Sequence, residues 1–168
     1  MKILLPMILQ MFWLLHCQAQ LHEAKTLSGT KIRHVTVAFS GLNCESQCPN
    51  EALTCDKNLK ISYYGGVNSK KQGYYKGRIL QTTWDSIQSR FNKFILIGLD
   101  SSAVKETDQP FVEFCITTEK GKKYFKADTG IMTESDLVIL YWFIRLASKP
   151  KLLTPADPTI FETQIQFL

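Results

Sequence analysis

Histidine, glycosylation sequons and long apolar runs are what this 168-residue chain has least of. Its three histidines are His16, His22 and His34, so a hydrolase that depends on a histidine base has few to draw on. No Gly-x-Ser-x-Gly elbow, Gly-rich phosphate loop or dinucleotide fingerprint occurs, which removes the motif-bearing routes to acyl, phosphoryl and hydride transfer. No Asn-x-Ser/Thr triplet is present, so N-glycosylation is not expected. Beyond the N-terminus the longest apolar run is Leu137–Ile144, LVILYWFI, closed by Arg145. As a strand it would reach roughly 26 Å, and it is far short of the ~20 residues of a membrane helix. The last residues, TQIQFL, carry no lipid-anchor or retention signal.

Charge is also sparse. The 20 Lys+Arg against 15 Asp+Glu leave a formal charge of +5, too mild to argue for nucleic acid. With 45% hydrophobic and 21% charged residues the chain belongs among globular proteins, not disordered ones.

The N-terminus reads as a leader. Met1–Ala19, MKILLPMILQMFWLLHCQA, has one basic residue (Lys2), an apolar middle from Ile3 to Leu15 and small Ala19 before polar Gln20. That order describes a secretory signal peptide, and Pro6, Gln10 and His16 interrupt it too often for a membrane span. A lipoprotein signal would need a small residue before Cys17, where His16 stands. The expectation is a secreted chain of residues 20–168, one β-rich domain with a polar arm over 20–30.

Cysteine organises the rest. The stretch 41–56, GLNCESQCPNEALTCD, holds Cys44, Cys48 and Cys55, and Cys115 lies in a later apolar run. Outside the cell these four allow three pairings. The preferred one joins Cys55 to Cys115 and Cys44 to Cys48, because Cys55 precedes an expected strand and Cys115 lies within another. Closing about sixty residues is worth roughly 4 kcal/mol in the chain-entropy picture. The spacing C-x3-C-x6-C also resembles zinc ligation, but no fourth ligand is near, since His22 and His34 lie outside the cluster. No metal and no cofactor are expected.

Periodicity points to strands. Lys31–Phe39 alternates, with Val35, Val37 and Phe39 inward. Glu51–Leu53 suggests a short helical turn. Leu59–Tyr64 and Tyr74–Leu80 flank a basic tip, and Trp84, Ile87 and Phe91 predict a short helix capped by Thr82 or Thr83. Phe94–Leu99 follows as a strand. Phe111–Thr117 and Lys122–Ala127 flank a turn with Gly121 available for positive φ. Leu137–Ala147 reads as a central strand from its β-branched and aromatic content, with a helix capped by Ser135 or Asp136 as the rival. Thr159–Leu168 reads as a closing strand. The sum is an all-β, antiparallel sandwich or barrel of about eight short strands with at most one short helix, around Trp84–Phe91. An immunoglobulin pattern fails for want of a second core cysteine near Leu137–Phe143, and a calcium-binding C2 pattern for want of paired loop aspartates.

Three functional readings follow. Paired-carboxylate hydrolysis would need acids such as Asp85, Asp100, Glu113, Asp128 and Asp136 to meet in space. A lipocalin-like carrier of a small apolar ligand suits the strand count but lacks the Gly-x-Trp near the first strand. The preferred reading is binding. Lys57, Lys60, Lys70, Lys71, Lys76 and Arg78 interleave with Tyr63, Tyr64, Tyr74 and Tyr75 over one hairpin. Cations supply attraction for an anionic partner, and tyrosines supply contact area at low entropy cost. The expected partner is an extracellular protein, a receptor or an anionic glycan. A second basic group, Lys120, Lys122, Lys123 and Lys126, lies on the later hairpin. The plain alternative for both groups is a solvated face.

Overall fold

The computed structural model describes residues 30–40, 48–92, 110–149 and 153–165. The leader, the polar arm up to residue 29, Cys44 and the strand expected at Phe94–Leu99 lie outside the described residues.

One antiparallel sheet of seven strands forms the body: β1 (Ile32–Ser40), β2 (Glu51–Asp56), β3 (Lys60–Gly65), β4 (Gly73–Arg78), β5 (Phe111–Thr118), β6 (Gly121–Asp128) and β7 (Leu153–Pro155). Their order across the sheet is β6-β5-β1-β2-β3-β4-β7, and it is not closed into a barrel. Among the described residues two α-helices join it, α1 (Gln81–Asn92) and α2 (Glu134–Ile144). The all-β expectation therefore holds, as an open sheet with two short helices.

The pleat sends alternate residues to opposite faces. Val35, Val37 and Phe39 of β1 stand beside Cys55, Leu53 and Glu51 of β2, and beside Ile116, Phe114 and Val112 of β5. Both helices pack on this face. Trp84, Ile87 and Phe91 from α1 meet Leu140, Phe143 and Ile144 from α2 in the main apolar cluster, with Phe91 edge-on to Phe143 at 5.3 Å. The opposite face is more polar and carries a small apolar cluster of Ala38, Ala52, Tyr64 and Phe161.

Several expectations need correction. The run Leu137–Ala147 is not a strand: it is α2 followed by a 3-10 turn over Arg145–Ser148. Thr133, not Ser135 or Asp136, caps it, its hydroxyl accepting from the Asp136 N–H, and Glu134 and Asp136 sit at the positive end of the helix dipole. Helical spacing buries Leu140, Phe143 and Ile144 together while Val138 and Tyr141 stay exposed, and this start signal outweighs the β-branched content. Glu51–Leu53 is not a helical turn but the start of β2, which pairs on both sides, with β1 and with β3. The helix at Trp84 runs longer than expected and starts at Gln81, so Thr82 and Thr83 lie inside it.

The closing strand expected at Thr159–Leu168 is not one over 159–165, and 166–168 lie outside the described residues; the last strand is β7, at Leu153–Pro155. Residues 156–165 form an irregular strap across the polar face, where Pro158 lacks a donor and the Gln164 N–H is taken by the Glu113 carboxylate at 2.7 Å.

The preferred disulfide is also overturned. Cys55 and Cys115 are both free and buried. Cys55 pairs across from Val35 and Cys115 from Thr36, so the two thiols point to opposite faces of the sheet and cannot meet without rebuilding it. Cys48 is disulfide-bonded, to a residue outside the described ones.

Candidate functional site

The connection between β3 and β4 is sewn onto the entry to β2. Gly66 N–H donates to the Asn50 carbonyl at 2.7 Å, the Ser69 hydroxyl to the same carbonyl at 3.0 Å, and Asn50 N–H to the Val67 carbonyl at 3.3 Å. Asn68 reaches the Cys48 carbonyl at 3.5 Å, so the tip lies beside the disulfide. Gly65 allows this close return: a Cβ there would collide with the Lys71 carbonyl. The Lys71 ammonium lies 4.2 Å over the Tyr75 ring, whose hydroxyl donates to the Gln72 carbonyl at 2.8 Å.

The folded tip faces the C-terminal end of α2, and a cavity of about 650 Å³ lies between them. That size takes a small ligand or an inserted peptide side chain. Glu51 and Tyr63 from the sheet, Lys70 and Lys71 from the tip, and Tyr141 and Arg145 from the helix end line it, with Ile144 and Ala147 as apolar wall. Tyr141 is held flat by stacking on Phe39 at 5.2 Å. Tyr63 donates its hydroxyl to Glu51 at 3.0 Å. Burial pushes the Glu51 carboxyl above its usual range, although the hydrogen bond from Tyr63, the nearby Ser69 hydroxyl and the Lys70 charge pull the other way. Burial, then the Glu51 charge, push the Tyr63 phenol up. Among the described residues no ion pair holds Lys70, Lys71 or Arg145.

The hairpin does not present its expected contact residues as one surface. Tyr63 and Tyr75 pair on the helix side, with Lys71 over Tyr75. Tyr64 and Tyr74 pair on the other face, 4.8 Å between centroids, together with Lys76. Lys60 and Arg78 pair at the far end of the ladder, where Arg78 donates to the Asn58 carbonyl at 3.3 Å, and Lys57 sits in the turn beyond. Tyr63 and Tyr64 are buried. Of the ten residues, Tyr63, Lys70 and Lys71 line the cavity. Glu51, Tyr141 and Arg145 were not anticipated. The alternation of Glu51 with Leu53 and Cys55 would have aimed Glu51 inward had the segment been read as a strand.

A second polar cluster occupies the other face. Glu162 from the strap accepts from Lys122 at 3.1 Å and from the Cys115 thiol at 3.3 Å, and lies 3.5 Å from His34 Nδ1. His34 Nε2 meets the Thr54 hydroxyl. Glu113, fully buried, accepts from the Thr163 hydroxyl at 2.6 Å and pairs with Lys126 at 3.6 Å. Burial and the Glu162 carboxylate push the Cys115 thiol up to about 12, so it stays protonated and is no nucleophile. The hydrolytic acids do not gather either. Glu113 lies under the strap, Asp128 caps a 3-10 turn, Asp136 sits in the first turn of α2 and accepts from the Thr133 hydroxyl, and Asp85 is exposed on α1 beside Gln81; Asp100 lies outside the described residues. The open sheet has no barrel interior of the lipocalin kind.

Residues 35–145 match a family model described as a domain of unknown function, DUF6438. The matched stretch includes Glu51, Lys70, Lys71 and Arg145 and stops before the strap. No curated protein and no solved structure matches the chain.

Proposed function

The chain belongs to the DUF6438 family, and from that premise we propose that it is a secreted binding protein that takes an acidic segment of an extracellular protein partner into the cleft between the β3–β4 tip and α2. The observation that carries this reading is a cavity with three cations, Lys70, Lys71 and Arg145, that no ion pair holds among the described residues. Cations that form no close ion pair around a concave site attract an anion, and the flanking phenols and apolar wall suit the body of a side chain. A sulfated glycan fits less well. Its natural footprint would be Lys60, Lys76 and Arg78, which share the hairpin face opposite Tyr63 and Tyr75 and so lie apart from Lys70 and Lys71 at the cleft.

The test is titration calorimetry with an acidic dodecapeptide of glutamate and tyrosine, with a heparin oligosaccharide in parallel. Replacing Lys70 and Lys71 by glutamate should weaken peptide binding by ~tenfold or more, since opposed charges in a partly desolvated site act more strongly than exposed pairs. Replacing Lys60 and Lys76 by glutamate should leave it nearly unchanged. Equal losses in the two double variants, or heparin binding that depends on Lys60 and Lys76 while the peptide does not bind, would sink this assignment.

A further inference from the structure

Among the described residues Glu51 is the one carboxylate lining the cavity, beside the three cations Lys70, Lys71 and Arg145. Every packed element contributes a group that faces it. From β3 comes the Tyr63 hydroxyl at 3.0 Å. From the tip come the Ser69 hydroxyl, the Lys70 charge and Lys71, the last held over Tyr75 of β4. Tyr141 of α2 and Arg145 just after it close the far side. An anion entering this space is drawn by Lys70, Lys71 and Arg145 and repelled by Glu51 whenever Glu51 is ionised. Protonation removes the repulsion and turns the same side chain from an acceptor into a donor that can point at the ligand.

We propose that the cleft takes up its acidic ligand together with one solvent proton on Glu51, so that anion binding tightens as the pH falls. This rests on the binding reading above and adds the means by which that site is regulated. Burial already raises the affinity of Glu51 for a proton, against the opposing hydrogen bonds and the Lys70 charge, and a second negative charge beside it raises that affinity further. Linkage makes the effect reciprocal: whatever factor the anion adds to proton affinity, the proton adds to anion affinity. One coupled proton limits the slope to about tenfold in affinity per pH unit.

Calorimetry of the same dodecapeptide at about pH 6.5, in two buffers of different ionisation enthalpy, counts the protons taken up. The peptide's glutamates remain ionised there. The purified wild-type chain should take up a fraction of one proton per peptide and bind several-fold more tightly at about pH 5.5 than at about pH 7.5. Glu51→Gln, which keeps an acceptor for Tyr63, should abolish the uptake, flatten the pH dependence and bind more tightly than wild type at the higher pH. Peptide binding with no buffer dependence in the wild type overturns the proposal and leaves the binding reading standing, as does uptake that survives in Glu51→Gln. Absence of binding at every pH in that range removes the binding reading and this proposal with it.

Discussion

The two faces of the sheet are made from alternate residues of the same strands, yet they are closed by different forces. On the helix side Val35, Leu53, Phe114 and Phe143 are buried in one apolar cluster, and burial of hydrocarbon holds the layers together. On the other side the strap is held mainly by carboxylates: Glu113 takes the Thr163 hydroxyl and the Gln164 N–H, and Glu162 takes Lys122 and Cys115. Among the described residues of the strap, Phe161 and the partly buried Ile165 add apolar anchorage there. The apolar layer of the first face is therefore costly to hollow out, with Glu51 as a carboxylate at its rim, while the other face is weaker and held through charged groups. The cleft sits where the apolar layer ends, between the tip and the end of α2, and so has hydrophobic walls and a charged rim.

Three changes would break or sharpen that contrast. The largest effect is expected from Phe143→Ala, which empties the centre of the helix face. It should cost about 3–5 kcal/mol in chemical denaturation, with no dependence on pH between about 5 and 8. A loss as small as a surface substitution would show that the helices are not seated on the sheet as described.

A smaller loss, about 1.5–3 kcal/mol, is expected from Glu113→Ala, which strips the acceptor from Thr163 and Gln164. Its signature is local. Hydrogen exchange at Gln164 and Ile165 should accelerate while that of β1 and β2 changes only with global stability. Equal acceleration everywhere would mean that the strap is part of the main cooperative unit.

The smallest effect belongs to Glu162. Burial raises its carboxyl, but hydrogen bonds from Cys115 and Lys122 and the charges of His34 and Lys122 outweigh that and leave it below the usual range. A carboxyl lowered by folding stabilises the fold above its unfolded value near ~4.3, and the contribution fades as pH falls through the lower folded value. Because Glu162 is partly exposed, the effect should stay under about 1 kcal/mol. Glu162→Gln should flatten the stability profile in that acid window, and an unchanged profile would remove Glu162 from the clamp.

Much of the sheet was legible because an alternating strand writes its burial into every second residue. Val35, Val37 and Phe39, and the hairpin ending at Gly121, are cases where local pattern and tertiary position agree. The errors share one cause. Leu137–Ile144 is apolar on nearly every side, so its composition carried no period, and the Thr133 cap had to be weighed against β-branched content. Glu51 reads as part of a short helical turn, although it opens a strand paired on both sides. The site was half visible. Lys70, Lys71 and Tyr63 were found as a cluster of types, but Arg145 lies more than seventy residues further along the chain, and no spacing rule joins it to them.

By itself the sequence determined that this is a β-rich chain with mild positive charge and a basic, tyrosine-rich hairpin, because hydrophobic period, turn residues and charge are properties of short windows. It also determined the absence of the motifs of acyl, phosphoryl and hydride transfer. Only the tertiary structure decided that Cys55 and Cys115 lie back to back, that the hairpin divides its lysines and tyrosines between two faces, and that the end of α2 completes a cleft over Glu51. Those are matters of register and of packing between distant segments: a shift of one residue exchanges the two faces of a strand, and nothing within a short window records which neighbour a strand will choose.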